Sequence, residues 1–331
     1  MLLTGGAGFI GSHTAVELIQ SGHTPIIVDT LANSDAVVYE NLKKITDQDI
    51  IHYEDDCRNT QKMIEIIKKH NCEAVIHFAA LKAVGESVGI PLQYYRNNLE
   101  SLASVLEAMQ ETDTKKLIFS SSCTVYGDPE SVPVTEDTPI QDATNPYGAT
   151  KQMSERIIQD VCAASNISAV MLRYFNPIGA HPSSHIGELP IGAPNCLIPY
   201  LTQATAGIRD PLTIFGDDYD TPDGTAIRDY IHVVDLAKAH VQSVEYLLNN
   251  DESLAVFNIG TGKGSSVQEV IDAFEKVTGE KVPYKVGPRR EGDIAMTYAG
   301  TKKAEEVLGW KAELTIEDAL KDAWNWQKTL S

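Results

Sequence analysis

Tyr147 and Lys151 stand four residues apart in the run Tyr147-Gly148-Ala149-Thr150-Lys151, directly after Asn145-Pro146, which reads as a helix start. Positions i and i+4 share a helix face, so the Lys151 ammonium is expected beneath the Tyr147 phenol, stabilising its phenolate. A free tyrosine titrates near ~10, and proton transfer near neutrality needs a folded value brought towards ~7. Alone, such a pair also describes an exposed helical Tyr and Lys. A third group changes the weighing. Leu117-Ile118-Phe119-Ser120-Ser121-Ser122 reads as a strand running into hydroxyls at its carboxyl end, where parallel sheets bind ligands. Ser122 there hydrogen-bonds a substrate hydroxyl and orients its proton while Tyr147 acts as base and acid. For Ser120 and Ser121, cofactor contact and strand-end capping stand equally. The three together form a hydride-transfer site, in which a proton leaves a hydroxyl as hydride leaves the same carbon for a nicotinamide.

The nicotinamide has its own signal at the start of the chain, Thr4-Gly5-Gly6-Ala7-Gly8-Phe9-Ile10-Gly11. Glycine lets backbone approach a pyrophosphate, and the helix that follows aims its N–H groups and positive dipole end at the anion. Asp29 ends the next apolar run, 18 residues past Gly11, near the offset at which an acid binds the adenosine ribose. Its charge repels a 2′-phosphate and no Lys or Arg follows until Lys43, which favours NAD over NADP.

These groups need a scaffold that brings them to one edge. Strands are predicted at Met1–Thr4, Pro25–Asp29, Ile50–Glu54, Ala74–Phe78, Leu117–Ser120 and Ala169–Arg173, with helices between them. Continuous apolar strands alternating with helices indicate an α/β fold with a doubly wound parallel sheet, Rossmann-type. From Pro177 to about Asp229 closely spaced prolines predict irregular structure resting on that sheet. Helices are predicted at Val234–Leu248, Val267–Thr278 and Ile316–Leu330, and a strand at Val256–Ile259 that returns to the large sheet. The expected organisation is an NAD-binding domain over 1–177 and a smaller, loop-rich α/β substrate domain over 178–331, with an interleaved boundary.

The 331 residues carry a formal charge of −19, which argues against a broad nucleic-acid-binding face; an anionic substrate needs a local basic pocket. No apolar run is long enough to span a membrane and no leader precedes the first strand, so a soluble, cytoplasmic protein is expected. The five cysteines, Cys57, Cys72, Cys123, Cys162 and Cys196, are scattered and fit reduced thiols rather than disulfides or zinc. His181 and His185, with Glu188 nearby, sit in a Pro/Ser/Gly loop suited to a solvated or ligand-lining role, and no metal is expected.

Several stretches together carry a resemblance. Thr4–Ser12, His77–Val88, Phe119–Gly127, Tyr147–Lys151, Leu172–Pro182, Ile214–Asp217, Asp223–Asp235 and Pro288–Asp293 resemble the extended short-chain dehydrogenase/reductase superfamily. Within it the chain is similar over essentially its whole length to the family of UDP-glucose 4-epimerases. The resemblance implies Ser122, Tyr147 and Lys151 as the catalytic set, acting on UDP-glucose and UDP-galactose through a 4-keto sugar, with NAD kept bound. For NAD it implies Gly5, Gly8 and Gly11 in the turn and Phe9 and Ile10 at the pyrophosphate. Asp29, Asn33 and Ser34 are implied at the ribose, Asp56 and Cys57 at the adenine, and Phe78, Ala79, Ala80, Lys82, Asn97, Ser120 and Tyr174 elsewhere along the cofactor. For the UDP-sugar it implies Asn176, Leu197, Thr213, Phe215, Arg228, Arg290 and Asp293, the two arginines suiting the diphosphate and Phe215 the uracil. It also implies a homodimer paired through helices around Asn97–Gln110 and Tyr147–Ala164.

The chain departs from that pattern in places. Thr30 and Asp55 replace a usual Asn and Gly at the adenosine end, and Cys196 stands where a second Asn is common, leaving a uridine-side hydrogen bond to Asn195 or unmade. The first strand is short for the family, as an upstream start or missing residues would make it. Thr297 falls where the family varies between a bulky Tyr and small residues beside the sugar 2-position, so N-acetylated UDP-sugars are expected to fit. A nucleotide-sugar dehydratase would need Asp-Glu after the active-site hydroxyl, where this chain has Cys123-Thr124. A silent NAD-binding sensor would need only the glycine turn and Asp29, not Ser122, Tyr147 and Lys151 as well.

Overall fold

The computed structural model describes residues 1–290 and 292–330. Glu291, within the Pro288–Asp293 stretch, and Ser331 lie outside the described residues. The first part alternates as the sequence predicts: β1 (Leu2–Thr4), α1 (Phe9–Gln20), β2 (Ile26–Asp29), α2 (Val37–Thr46), β3 (Ile51–Glu54), α3 (Thr60–His70), β4 (Ala74–His77), α4 (Val84–Gly89), α5 (Pro91–Gln110), β5 (Lys116–Ser122), α6 (Pro146–Ala164) and β6 (Ser168–Tyr174). There follow β7 (Asn176–Ile178), α7 (Leu197–Thr205), β8 (Leu212–Phe215), β9 (Ile227–His232), α8 (Val233–Asn249), β10 (Leu254–Ile259), β11 (Gly264–Ser266), α9 (Val267–Thr278), β12 (Tyr284–Gly287), β13 (Met296–Thr297) and α10 (Ile316–Thr329).

The large sheet runs β10-β6-β5-β4-β1-β2-β3, with every neighbouring pair parallel. Its inner strands are apolar on both faces because helices cover both. Leu3, Ile27, Ile76 and Ile118 pack in one cluster and Leu2, Val28, Val75 and Leu117 in the other. The order reverses between β1 and β4, and at such a point the loops after the two strands diverge and leave a crevice at their carboxyl ends. Two smaller sheets, β11-β9-β13 with β7 on β9, and β12-β8, stand beside it.

The predicted strands are all present, and β5 continues through Ser122, so all three serines belong to the strand itself. The return of the late strand also holds: β10 pairs with β6 from Leu254↔Ala169 to Ile259↔Tyr174. The stretch from Pro177 to Asp229 departs from expectation, since it holds β7, α7, β8 and the start of β9. Pro199 does not break α7 because it lies in the first turn, where backbone N–H groups have no intrahelical partner to lose. Among the described residues no helix is long and apolar enough to cross a membrane.

Because β10 closes one edge of the large sheet, its buried Phe257 should support the whole fold. Phe257→Ala is expected to lower unfolding free energy in urea by about 3–5 kcal/mol. A loss below about 1 kcal/mol would contradict a structural role for that strand.

Candidate functional site

Gly5 leaves β1 with φ of 71°, and a Cβ there would lie 2.7 Å from the Ala79 nitrogen, so the turn and the end of β4 meet only through glycine. A Cβ on Gly11 would lie 2.6 Å from the Gly6 Cα, which is why α1 starts so close to the turn. The first N–H groups of α1, at Phe9, Ile10 and Gly11, lack intrahelical acceptors and are free to bind an anion at the crevice. This cradle, with no room for a Cβ, fits a dinucleotide pyrophosphate. The Asp29 carboxylate already braces it, accepting from Ala7 N at 3.0 Å, Leu31 N at 2.9 Å and the Ser34 hydroxyl at 3.1 Å. Asn33 and Ser34 line a cleft with Gly8, Phe9 and His185. Farther along, Asp56 is paired with Arg58 at 2.5 Å, and burial pushes the Cys57 thiol up to about 12.

At the other end of the crevice, α6 begins as the sequence predicts: the Asn145 side chain accepts from Gly148 N at 2.9 Å and Pro146 takes the first helical position. Tyr147 is 9 % exposed, Ser122 7 % and Lys151 4 %. The Ser122 oxygen accepts from Thr124 N at 3.2 Å and from the Thr124 hydroxyl at 3.0 Å, which fixes its rotamer beside Tyr147.

Lys151 departs from the expectation. Its Nζ donates to the Ser120 carbonyl at 2.5 Å and lies 4.8 Å from the Phe119 ring centre, against 5.8 Å from the Tyr147 ring centre. The ammonium therefore sits beneath the site with the Ser120 carbonyl as its hydrogen-bond partner. Burial pushes Tyr147 up to about 12, with Ser122 and then Lys82 acting in the lowering direction. Burial also takes Lys151 down to about 7, partly offset by Glu155. The expected fall of Tyr147 towards neutrality is thus absent in the protein by itself, because desolvation of a phenolate outweighs the lowering by the Ser122 hydrogen bond and the Lys82 charge.

The strand-end hydroxyls divide their roles. Ser120 bonds to the Tyr174 hydroxyl, joining two of the expected cofactor contacts, whereas Ser121 donates to Glu155 Oε1 at 2.6 Å and turns away from the crevice. Phe78, Ala79 and Ala80 follow β4 at the crevice floor, half-buried. Asn97 Nδ2 donates to Asn98 Oδ1 at 3.1 Å.

Of the basic groups expected at a UDP-sugar, Arg228 lies on a smaller sheet and Arg290 in the segment between β12 and β13. Arg228 of β9 is held by the carbonyls of Ile227 and Ile294, each at 2.8 Å, and pairs in register with Thr297 of β13. Arg290 forms a two-pronged bridge with Asp293 at 2.8 and 3.1 Å, and its guanidinium lies 5.8 Å from the ring centre of the exposed Phe215. Thr213 precedes Phe215 on β8, Asn176 opens β7 beside Tyr230, and Leu197 opens α7. The two sides meet at Lys82, whose Nζ bonds Glu188 Oε1 at 3.0 Å, and at Cys196, which feels Glu188, Lys82 and Arg290 together. Glu188 is therefore engaged by an amine, not grouped with His181 and His185.

Sequence reasoning missed Asn98, Glu155 and Arg173, and the pairing of Glu188 with Lys82. Asn98, 4 % exposed, accepts from Leu81 N and donates to Leu81 O and the Thr150 hydroxyl, tying the loop after β4 to α6. Its signal was an amide on the apolar stripe of α5. Glu155 and Arg173 form a buried pair at 2.6 Å, and Glu188 reaches across the crevice to Lys82. Glu155 had a legible signal, lying one further turn along the Tyr147-Lys151 face.

A family model described as GDP-mannose 4,6 dehydratase matches residues 2–323. The UDP-glucose 4-epimerase of Bacillus subtilis (strain 168) is 51 % identical over 330 residues, covering 99 % of this chain and 97 % of that protein. The crystal structure of UDP-glucose 4-epimerase from Bifidobacterium longum in complex with NAD+ and UDP is 50 % identical, with a TM-score of 0.96 over 99 % of this chain and 98 % of that one. That of the Stenotrophomonas maltophila enzyme, with NAD and formylated UDP-arabinopyranose, is 47 % identical with a TM-score of 0.97, over the same shares.

The glycine cradle can be tested directly. Gly11→Ala, which forces backbone against backbone, is expected to cut the NAD content of the purified, folded protein by roughly tenfold or more, as released dinucleotide shows. Undiminished NAD would contradict the packing argument.

Proposed function

The chain belongs to the UDP-glucose 4-epimerases of the extended short-chain dehydrogenase/reductase superfamily, and we propose that Ser122, Tyr147 and Lys151 carry its chemistry. The protein is an NAD-dependent isomerase that interconverts UDP-glucose and UDP-galactose through a 4-keto intermediate. The observation that carries the assignment of roles is the burial of the Tyr147 phenol beside Ser122 at the carboxyl end of β5, in the same crevice as the glycine cradle.

Ser122 holds the sugar 4-hydroxyl, and Tyr147 takes its proton and later returns one to the opposite face. NAD, when bound, supplies the acceptor and then the donor of the C4 hydride, so the cycle has no net redox change. The positive charge of oxidised nicotinamide would act on Tyr147 in the same lowering direction as Lys82. NAD is held by Gly5–Gly11, Asp29, Asn33, Ser34, Asp56, Cys57, Phe78–Ala80, Lys82, Asn97, Ser120 and Tyr174. Arg228 and Arg290 hold the diphosphate, an anchor about which the 4-keto sugar turns, while Phe215 packs on uracil. Residues 1–177 serve the cofactor and 178–331 the UDP-sugar, β10 returning to the large sheet.

Loss of water from C6, as in a 4,6-dehydratase, would need an acid and base after Ser122. Cys123 has its thiol pushed up to about 12 and Thr124 is committed to Ser122, so neither fills that role. Thr297, small and 7 % exposed next to Arg228, supports acceptance of N-acetylated UDP-sugars as well. Exposed Leu92 on α5 and Met153 on α6, at 72 % and 46 %, support a homodimer through those helices. Free cysteines fit a cytoplasmic setting.

Purified protein given UDP-galactose and no added NAD is expected to yield UDP-glucose, with Tyr147→Phe reducing turnover at least roughly a hundredfold. No conversion even with added NAD would refute the catalytic reading. UDP-GalNAc is expected to react too, and Thr297→Tyr to suppress that reaction while sparing UDP-galactose; equal preference in wild type and variant would contradict the role of Thr297.

A further inference from the structure

Helix α6 carries a third titratable group on the face that holds Tyr147 and Lys151. Glu155 follows Lys151 by one more helical turn and is 2 % exposed. Its Oε1 accepts from Ser121 Oγ at 2.6 Å and Arg173 Nε at 2.9 Å, and its Oε2 accepts from Arg173 Nη2 at 2.6 Å. Arg173 Nη1 donates to the Tyr126 hydroxyl at 3.0 Å, and Tyr126 donates onward to Asn258 Oδ1 at 2.7 Å. The carboxylate is therefore clamped from β5, β6 and, through Tyr126, β10.

The partners of this clamp are the chain neighbours of the reacting set. Ser121 lies between Ser120, whose carbonyl receives Lys151, and Ser122; Arg173 precedes Tyr174, which bonds Ser120. Lys151 has one protein oxygen within hydrogen-bonding distance among the described residues, and its other neighbours do not supply negative charge. Phe119 offers a ring face from β5. His77 of β4 is buried and neutral, held down to about 3 by desolvation and by Lys151 itself. Tyr147 is a neutral phenol, and the groups beyond it are Lys82, Cys123, Cys196, Tyr94 and Tyr174. Glu155 is the acid that raises Lys151 against desolvation.

We propose that Glu155 is a positioning residue for the Tyr147–Lys151 pair: its carboxylate, clamped by Arg173 and Ser121, keeps the buried Lys151 side chain in its ammonium form beneath the site. This rests on Tyr147 and Lys151 being the catalytic pair. Neutralising Glu155 leaves Arg173 and Lys151 as two buried cations without an anion, so Lys151 sheds its proton at lower pH. Neutralising Arg173 instead leaves the acid uncompensated and works in the opposite direction. Glu155 acts more strongly on Lys151, one turn away, than on Tyr147, two turns away.

The test is the pH dependence of kcat for UDP-galactose, across about pH 5 to 10, in wild type, Glu155→Gln and Arg173→Gln, with KM, bound NAD and melting temperature measured alongside. In Glu155→Gln the alkaline limb is expected to move down by about one pH unit, a tenfold loss at the wild-type limb, with KM within about twofold. In Arg173→Gln the limb is expected to move up. A purely structural role lowers melting temperature and overall activity without displacing the limb. Where one variant does not fold, the direction of the other decides. Folded, NAD-containing variants with an unmoved alkaline limb would overturn the proposal. Wild type without epimerase activity, or Tyr147→Phe with full activity, would instead refute the catalytic reading beneath it.

Discussion

A lysine ammonium held almost entirely out of water is the constraint around which this structure is arranged. Lys151 is 4 % exposed and has the Ser120 carbonyl as its hydrogen-bond partner, so its charge persists only with help from its surroundings. The Phe119 ring face and the Glu155 carboxylate supply that help from β5 and from the next turn of α6. Parallel pairing of β5 with β6 brings Ser121 opposite Arg173, the two groups that clamp Glu155. The apolar sheet beneath and the helix above are therefore one device with the charge between them, since a shift of α6 would carry Lys151 away from the Ser120 carbonyl and Glu155 away from Ser121 and Arg173.

The same dryness explains the resting state of Tyr147. A phenol pushed up to about 12 is a hydrogen-bond donor, not a base, at neutral pH. Cationic charge arriving with the cofactor acts on that phenol in the lowering direction. The crevice that admits both ligands is bridged by Lys82 and Glu188, one from the sheet domain and one from the loop before α7. Arg228 on β9, Phe215 on β8 and Arg290 after β12 lie far along the chain from Ser122, Tyr147 and Lys151.

Much of this was legible in the chain. Short-range rules located the glycine cradle, the start of α6 at Asn145-Pro146 and the large-sheet strands, because each rests on local periodicity or a local backbone requirement. Proline density misled between Pro177 and Asp229, since Pro199 falls in the one turn of α7 that tolerates it. The hydrogen-bond partner of Lys151 was not legible for a different reason. Helical spacing gave the face it shares with Tyr147, but Ser120, 31 residues upstream, decides where its nitrogen ends. The Glu155–Arg173 pair joins a helix to a strand, and a charged residue on an apolar face has no local mark to show that a partner is folded against it. Tyr147 ionisation depends on burial and on bound charge, neither of which spacing records.

The central claim is that one closed crevice removes a hydride from C4 and gives it back to the same carbon. UDP-galactose carrying deuterium at C4, converted in ordinary water, tests this most directly by mass spectrometry and NMR of the product. The account expects UDP-glucose with the deuterium still at C4. Product that has lost the label to solvent would contradict it.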